Sequence, residues 1–329
     1  NAADVYFDPY DVEINADPDP VYARMREEAP AYHNERFDFW ALTRHEDVHQ
    51  ALVDWRTFSN SRSDILDIIP PVHSVHRGLM SRVFTPRRMA ALEDQIRDFC
   101  IRCLDPLVGA ERFDIISDFA SILPMRVIGM LLGIPEEDQI AVRDKTDSSL
   151  RTEPGQPMAV KQEEVASGAM FADYIDWRAK HPSDDLMTHL LNAEFEDQDG
   201  ERRTLTRDEV LTYTAVLAGA GNETTGRLIG WLAKLLAEHP DQRRALLDDR
   251  SLIPNAIEET LRFEPTGHAV ARYVTHDVEL HGTTIPEGSA ILLLMASANR
   301  DPRRHRDPDV YDVTRGDVQH LTFGYGTHF

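Results

Sequence analysis

An acid and an alcohol stand side by side in the middle of an otherwise apolar stretch, at Glu223 and Thr224 of the segment AGNETT. A hydroxyl next to a carboxylate can hold a water molecule and pass protons, which is general acid–base chemistry. The small residues before them, Ala220 and Gly221, would let a flat ligand approach the backbone. Small residues are also typical of a crossing between packed helices, and the segment alone leaves both interpretations open. No Lys follows the glycines, which excludes a phosphate-binding loop.

A second charged group lies in the segment NAIEETLRFEP. Glu259 stands three residues before Arg262 and Glu258 four residues before it, so either carboxylate can reach the guanidinium on a helix. On spacing alone, the pair of Glu258 with Arg262 is favoured, as an ordinary surface ion pair worth about a few tenths of a kcal/mol. Further along, SANRDPRRHRDPDVYDVTR is a polar segment with several prolines and is too long for a simple turn.

The acid–alcohol pair lies on the most informative helix that the sequence predicts, from Thr206 to Pro240. TRDE is a capping box with Thr206 as N-cap and Glu209 three residues later, and Pro240 ends the helix. About 30 residues at 1.5 Å each give a length of roughly 45 Å, enough to cross a whole domain. The apolar flanks LTYTAVLA and LIGWLAKLLA predict a central helix, and hydroxyls that bond back to carbonyls favour a local kink at its middle.

The rest of the chain is also mainly helical by pattern. Apolar residues three and four apart dominate from about residue 76 to 263, as in ILPMRVIGMLLGIP. A short helix (PVYARMREEAP), a strand (FWALT) and another helix (HEDVHQALVD) precede this region. Strand signals return in VARYVTHDVELHGTTIPEGSAILLLM, where Gly and Pro turns interrupt β-branched residues. Long helices with a small, locally paired sheet predict one mainly α domain over residues 1–329.

The overall composition narrows the classes of function. With 42% hydrophobic and 28% charged residues, the 329-residue chain has the composition of a globular protein. A formal net charge of −22 argues against nucleic-acid binding, which requires clustered Lys and Arg. No stretch approaches the roughly 20 apolar residues of a membrane helix, and no signal peptide is visible. We therefore expect a cytoplasmic protein without a membrane anchor.

The two cysteines, Cys100 and Cys103, form a CxxC pair. Such a pair can be half of a zinc site or a redox couple, but no second half is present in the sequence. Two cysteines provide no disulfide framework, which fits a reducing compartment. We interpret them as small structural residues one turn apart on a helix.

Five segments, AGNETT, EETLR, ANRDP, DVTR and FGYGTH, occur in the order and at about the spacings found in bacterial cytochrome P450s, the haem-thiolate monooxygenases. One such segment is weak evidence, whereas five in register are specific. The resemblance runs from about Tyr22 to the last residue, and FWALTRHEDVHQAL, FSN, LLGIP and SDDLMTHLL also resemble segments of that family. It implies a triangular, mainly α fold with a minor β-sheet portion and a long central helix, with haem b as the cofactor.

The resemblance implies which side chains hold the haem. PPVHSVHR is similar to the family's Pro-Pro-x-His-x-x-x-Arg, and Arg meets carboxylates through two parallel hydrogen bonds. The expected propionate ligands are His73, Arg77, Arg272 and His328. The residues expected to lie along the porphyrin and in the loop that passes it are Ala220, Gly221, Phe323, Gly324 and Gly326. His76 is excluded as a ligand by its position, and the axial Cys is expected immediately after Phe329.

The resemblance also assigns the reaction. Thr224 would hold dioxygen and a water molecule, and Glu223 would relay protons from solvent to them. The product would be a hydroxylated hydrophobic small molecule, such as a lipid, a terpene or a polyketide. The sequence offers only apolar walls for that substrate, at Ala218, Val270 and Ala271. Residues 61–69 alone separate FSN from PPVH, where relatives usually carry a longer loop over the substrate.

The same resemblance gives Glu259 and Arg262 a structural role. They would form a buried pair that is locked by a third residue, Arg315 of DVTR, with Arg300 of ANRDP as the second choice. Removal of one member of a buried ion network leaves a charge unpaired and costs about 3–5 kcal/mol. This network would hold the fold and the haem pocket, and it would perform no chemistry.

Electrons must come from a partner protein, because the sequence has no flavin or nicotinamide fingerprint. The segment HRGLMSRVFTPRRM concentrates positive charge in an acidic chain, at Arg77, Arg82, Arg87 and Arg88. In the family this region faces the electron-accepting side, which predicts an acidic ferredoxin, or a flavodoxin, with an NAD(P)H-dependent reductase. A merely solvated helix face is the alternative interpretation of these arginines.

Two further classes of function stay open at this point. One is a haem-thiolate isomerase, a dehydratase or a peroxide-driven enzyme, and the other is a helical binding protein without haem. Because Glu223 and Thr224 are both present, the sequence favours the oxygen-activating monooxygenase over these alternatives.

Overall fold

The computed structural model describes residues 5–60, 72–82, 84–150, 153–156, 168–197 and 199–328. The two prolines of PPVHSVHR, the segment 61–69 and Phe329 lie outside the described residues, and so do the expectations attached to them. In the described part of the chain, no helix is long and apolar enough to span a membrane. Cys100 and Cys103 are free thiols, and both are half-buried.

Helices make up most of the regular structure. The α-helices are α1 Val12–Ala16, α2 Asp19–Glu28, α3 His45–Val53, α4 Val72–Ser81, α5 Pro86–Ala91, α6 Glu93–Leu104, α7 Leu123–Leu132, α8 Gln139–Leu150, α9 Ala172–Lys180, α10 Leu186–Asn192, α11 Arg207–Glu238, α12 Pro240–Asp248, α13 Ile253–Phe263 and α14 Met295–Asn299. The strands are β1 Ala31–Asn34, β2 Phe39–Leu42, β3 Phe58–Ser59, β4 Glu194–Glu196, β5 Arg202–Thr204, β6 Val270–Val274, β7 Val278–Leu280, β8 Thr283–Ile285 and β9 Ala290–Leu293. The predicted fold class, mainly α with a minor β-sheet portion, is confirmed.

The described residues group into two compact units. Unit 1 contains residues 5–60, 153–156 and 231–328, and unit 2 contains residues 72–82, 84–150, 168–197 and 199–230. Residues 207–230 of α11 belong to unit 2 and residues 231–238 to unit 1. A single domain over residues 1–329 stays a prediction.

Unit 1 is built on a five-stranded sheet with the order β1-β2-β9-β6-β3. Only the pair β2–β9 is parallel, and the other neighbours in this sheet are antiparallel. Apolar residues that alternate along β9, such as Ile291 and Leu293, are fully buried and pack with Leu42 and Val48. Each buried aliphatic side chain of this kind contributes about 1.5–3 kcal/mol. The sheet is therefore a rigid platform for β6, which carries one predicted site residue.

Unit 2 packs its helices around one apolar cluster. Leu132 of α7, Leu190 of α10 and Val210 of α11 are completely buried in it, and Leu79 of α4 joins them. The two-stranded hairpin β4–β5 adds Phe195 to the same cluster. Apolar residues three and four apart thus face a common core, as the helical pattern predicts.

The long helix begins at the predicted capping box. The Thr206 hydroxyl accepts from the Glu209 backbone N–H at 3.2 Å, and the Glu209 carboxylate accepts from the Thr206 N–H at 2.7 Å. Two of the otherwise unpaired backbone donors at this helix end are thereby satisfied. The helix continues without interruption through residues 220–225, so the expected kink produces no break in it.

Candidate functional site

The predicted site residues of unit 1 include a buried ion network. Glu259 and Arg262 of α13 have no exposed surface. Arg262 donates to the two oxygens of Glu259, from Nε at 2.7 Å and from Nη2 at 2.9 Å. Arg315 donates from Nε to the same carboxylate at 3.1 Å. Such two-pronged contacts between arginine and carboxylate are the strong form of the ion pair.

Backbone carbonyls complete the surroundings of both guanidinium groups. Arg262 donates to the carbonyls of Asn299 and Pro308, at 3.0 and 2.8 Å. Arg315 donates to the carbonyls of Arg306 and Val310, at 2.6 and 2.8 Å. Every one of these carbonyls belongs to the end of α14 or to the irregular segment that follows it. The network therefore fixes the path of a segment that has no helix or strand of its own.

The structure also decides between the alternatives for this network. Arg315, the first choice from the sequence, contacts Glu259, while Arg300 donates to the Phe263 carbonyl and pairs with Asp19 at 3.0 Å. Glu258 does not pair with Arg262, as spacing alone favoured, but accepts from His320 at 3.0 Å. The surface-pair interpretation is thus wrong for Arg262. The role of the three-residue network stays a prediction.

Arg272 on β6 is the predicted propionate ligand whose side chain the structure describes in unit 1. Its guanidinium is half-buried, and it donates to the carbonyl of the neighbouring Ala271 at 2.7 Å. Burial lowers the pKa of Arg272, because removal of water disfavours the charged form. Among the described residues, no carboxylate pairs with it. No carboxylate of the described residues therefore neutralises the charge of Arg272.

The loop after His320 contains the remaining predicted residues of unit 1. Phe323 is 56% exposed although it is large and apolar. Gly324 has φ +77°, and a Cβ at this position would meet no atom within 4 Å. Gly326 has φ +73°, and a Cβ there would lie 3.0 Å from Val53 Cα in α3. Gly324 therefore faces open space, whereas Gly326 is required for close packing on α3.

The same loop is tied down by residues that sequence reasoning did not assign. The Asn299 side chain accepts from the Leu321 N–H at 2.8 Å and donates to the Thr322 hydroxyl at 3.0 Å. The Thr322 hydroxyl donates in turn to the Leu261 carbonyl of α13 at 2.7 Å. Asn299 lies in the segment ANRDP, and its place in that segment was the sequence signal that could have identified it. The side chain of His328 lies outside what the structure describes.

In unit 2, the acid–alcohol pair lies in the middle of α11. Glu223 pairs with Arg227, one turn further along the same helix, and both side chains are partly exposed. The Thr224 hydroxyl donates to the Ala220 carbonyl at 2.8 Å, the usual back-bond of a helical threonine. Arg227 was missed from the sequence, although a spacing of four residues is the signal for such a pair.

The small residues around this pair differ in whether they pack against another segment or face solvent. A Cβ on Gly221 would lie 3.3 Å from the Ile128 side chain of α7, so Gly221 faces a helix crossing. Gly226 is closer still, because a Cβ there would lie 2.9 Å from the Ala120 carbonyl oxygen. Ala220 is exposed. The helix-crossing interpretation therefore fits Gly221, and contact of Ala220 or Gly221 with a flat ligand stays a prediction.

Helix α4 carries the other two predicted propionate ligands. His73 is half-buried and Arg77 is exposed. Burial lowers the pKa of His73, and the nearby Arg77 and His76 lower it further. His76, which the sequence excluded as a ligand, forms a hydrogen bond with Tyr213 of α11 instead. This contact joins residues far apart in the sequence, so no local signal reveals it.

The predicted electron-partner surface is exposed. Arg77, Arg82, Arg87 and Arg88 all lie at the surface of unit 2. The Thr85 hydroxyl accepts from the Arg88 N–H at 3.3 Å and starts helix α5. In the part of the chain that the structure describes, no carboxylate pairs with Arg82, Arg87 or Arg88. Their positive charge is therefore not neutralised locally.

Comparisons with known proteins give matches in sequence and in fold. The sequence model of the family described as Cytochrome P450 matches residues 158–329. The chain is 37% identical to a putative cytochrome P450 123 of Mycobacterium tuberculosis, over 99% of this chain and 85% of that protein. It is 34% identical to the cytochrome P450 monooxygenase PikC of Streptomyces venezuelae, over 96% of this chain and 80% of that protein.

A solved structure shows the same fold. CYP109E1 from Bacillus megaterium, in complex with corticosterone, matches with a TM-score of 0.85 and 30% sequence identity. The match covers 96% of this chain and 85% of that one.

Proposed function

Because this chain belongs to the cytochrome P450 family, whose members are haem-dependent monooxygenases, we propose that it hydroxylates a hydrophobic small molecule with electrons from a ferredoxin. Members of the family bind haem b, and bacterial members generally use ferredoxin-type redox partners. The observation that carries the proposal is the half-buried guanidinium of Arg272, which has no carboxylate partner among the described residues. We further propose a single domain and a cytoplasmic location.

The residues of each unit fit a haem with two propionates. In unit 1, Arg272 offers its cation and Phe323 offers an exposed aromatic face that a porphyrin would cover. In unit 2, His73 and Arg77 stand one turn apart on α4, so both point to the same side of that helix. His328 would be the further propionate ligand, and Gly324 and Gly326 would shape the loop. The bound haem supplies activation of dioxygen for insertion of one oxygen atom into a C–H bond.

The chain's own part in that reaction is to deliver protons and to hold water. The Thr224 hydroxyl now donates to Ala220, and a threonine in a helix has two accessible rotamers, so the hydroxyl can turn to a bound molecule. The Glu223 carboxylate is held by Arg227 near solvent. We propose that Glu223 takes protons from water at this surface and that Thr224 orients the water that receives them.

A hydrophobic substrate follows from the apolar residues and from one relative. Ala218 is buried, Val270 is half-buried and Ala271 is exposed, and none of them offers a charge to a ligand. The CYP109E1 structure contains corticosterone, a largely apolar molecule. Tight binding of a strongly anionic substrate would contradict this part of the proposal.

An acidic electron carrier fits the surface arginines, because complementary charge speeds the encounter of two proteins. We expect the double variant Arg87→Glu and Arg88→Glu to lower the turnover driven by ferredoxin, reductase and NAD(P)H at least tenfold at low salt. The loss should shrink as salt screens the charges.

The matched control for this variant is the double variant Arg243→Glu and Arg244→Glu, because these residues form another adjacent, exposed arginine pair near the start of a helix, α12. It should leave turnover unchanged, and peroxide-driven turnover should be equal in both variants. Equal losses in the two double variants would show that the partner binds elsewhere.

Product analysis tests the reaction class. The haem-loaded protein is given a steroid or fatty-acid panel with ferredoxin, reductase and NAD(P)H, under ¹⁸O-labelled dioxygen. We expect a hydroxylated product that carries one labelled oxygen atom. Product formation with peroxide alone, without label from dioxygen, would favour the peroxide-driven alternative, and unlabelled rearranged product would favour an isomerase or a dehydratase.

A further inference from the structure

Two side chains outside the proposed haem ligands connect α4 to the start of α11. We propose that the hydrogen bond between His76 and Tyr213 positions α4, so that His73 and Arg77 are held in the direction of the haem propionates. The inference rests on the proposed function, since it assigns His76 and Tyr213 as positioning residues for that cofactor. Neither residue would touch the haem itself.

The contact joins two partly buried rings. The His76 Nδ1 atom and the Tyr213 hydroxyl are hydrogen-bonded, and the two ring centroids are 5.8 Å apart. Burial lowers the pKa of His76 and raises the pKa of Tyr213. Both groups are therefore neutral near pH 7, so the bond is one between a neutral imidazole and a neutral phenol, with either group able to donate. A neutral pair of this kind tolerates partial burial without an unpaired charge.

The residues that contact His76 are themselves fixed by contacts with their neighbours. One turn before Tyr213, Glu209 accepts from both terminal nitrogens of Arg203, at 2.8 and 2.9 Å. The Arg203 guanidinium also lies 4.7 Å above the ring of Phe195, and that ring packs against His76 at 6.0 Å. The hairpin β4–β5 and the first turns of α11 thus form one connected group. A helix fixed to this group inherits its rigidity.

Helix geometry explains why one bond on His76 affects two other side chains. Successive residues are about 100° apart around a helix, so His73 and Arg77 differ by about 40°. His76 lies about 60° to one side of His73. Leu79 lies about 60° further round in the same direction. It is only 5% exposed and packs in the core of unit 2. With both Leu79 and His76 fixed, α4 cannot rotate about its axis.

Without this restraint, a small rotation of α4 would displace its side-chain tips by more than a hydrogen bond tolerates. A rotation of about 20° moves a side-chain tip at a radius of about 6 Å by about 2 Å. A hydrogen bond tolerates much less than that, because it weakens beyond about 3.2 Å. The two cationic side chains would then lose their alignment with the propionates even though both are still present.

The test compares two variants that each remove one phenol hydroxyl from unit 2. Tyr213→Phe removes the bond to His76, and the matched control Tyr174→Phe removes the bond to Asp138, which is 2.8 Å long and does not involve α4. Haem dissociation is measured by transfer to excess apomyoglobin, and the haem midpoint potential by spectroelectrochemistry. Residues that orient the ligands of a metal centre typically change its affinity 10- to 100-fold.

We expect Tyr213→Phe to raise the haem dissociation rate about tenfold and to lower the midpoint potential, with Tyr174→Phe unchanged in both. His76→Leu should behave like Tyr213→Phe. His76→Asn should restore the wild-type values, since the Asn side-chain oxygen can accept at the position of Nδ1. Equal dissociation rates in Tyr213→Phe and Tyr174→Phe would overturn the inference.

Failure of the proposed function gives a different result from failure of the inference. If the wild-type protein binds no haem, the proposed function fails and the inference fails with it. If the wild type binds haem and the Tyr213→Phe variant releases it at the wild-type rate, only the positioning role fails. Amide hydrogen exchange of the haem-free protein is a second readout, and it should be faster in residues 72–81 of Tyr213→Phe than of Tyr174→Phe.

Discussion

The buried network of α13 gives the sharpest prediction about the fold. We consider Glu259→Gln, which keeps the shape of the side chain and removes its charge. The substituted nitrogen cannot accept the hydrogen bonds that Arg262 and Arg315 donate to the wild-type oxygen. Two guanidinium groups are then left with half of their carboxylate partner, at a position with no exposed surface.

The magnitude follows from the bonds that are lost. A hydrogen bond to a charged group contributes about 1.5–3 kcal/mol, and the substitution removes two of them. A broken buried ion pair costs about 3–5 kcal/mol in general, which agrees with this estimate. We therefore expect Glu259→Gln to lower the free energy of unfolding by about 3–5 kcal/mol.

The assay is urea unfolding of the haem-loaded and the haem-free protein, followed by tryptophan fluorescence and circular dichroism. Coincidence of the two signals is needed before a free energy is taken from the midpoint. Glu258→Gln is the matched control, because its side chain is half exposed and forms an ion pair with His320 and not with Arg262. The substituted amide keeps an oxygen that can accept from the buried His320, so the loss should be at most about 1 kcal/mol. If the two variants unfold within about 1 kcal/mol of each other, the structural role of the network is refuted.

Three further perturbations follow from single positions. Burial lowers the pKa of His305 to about 3, so below about pH 6.5 the unfolded chain binds a proton that the folded chain does not. The free energy of unfolding therefore decreases as the pH is lowered. Between about pH 6.5 and 5.0 it should decrease by about 2 kcal/mol more in the wild type than in His305→Phe, as measured by urea unfolding. Gly326→Ala should cost about 2–4 kcal/mol in the same assay, because the new Cβ meets the α3 backbone, and Gly324→Ala only about 1–2, since its Cβ meets nothing. Arg272→Gln should weaken haem binding about tenfold in a haem-transfer assay without a change in the unfolding of the haem-free protein, and an unchanged transfer rate would contradict its role.

Local patterns in the sequence were sufficient for some of these features. The capping box at Thr206 is specified within four residues, and its two hydrogen bonds form as predicted. The choice of Glu259 over Glu258 is also encoded locally. Glu259 lies on the apolar face of α13 between Ala256 and Phe263, whereas Glu258 lies opposite. Spacing to Arg262 alone could not show this, because both carboxylates are within reach.

Local sequence patterns could not predict the contacts between segments that are distant in the sequence. Gly326 is needed because α3 passes close to its Cα, and only the packed structure shows which of two neighbouring glycines meets that helix. The bond of His76 to Tyr213 joins α4, which ends at Ser81, to a helix that begins at Arg207. Sequence reasoning excluded His76 as a ligand but gave it no task. Tertiary packing, which depends on all elements together, decides both cases.

The most direct test of the proposed function is the absorption spectrum of the reduced, haem-loaded protein with carbon monoxide, in a chain that includes the Cys expected immediately after Phe329. A cytochrome P450 with thiolate-ligated haem is expected to show a strongly red-shifted Soret band under these conditions, and the band should persist in Glu258→Gln. A protein that takes up no haem, or that gives a Soret band without the red shift, would contradict the assignment of this chain as a haem-thiolate monooxygenase.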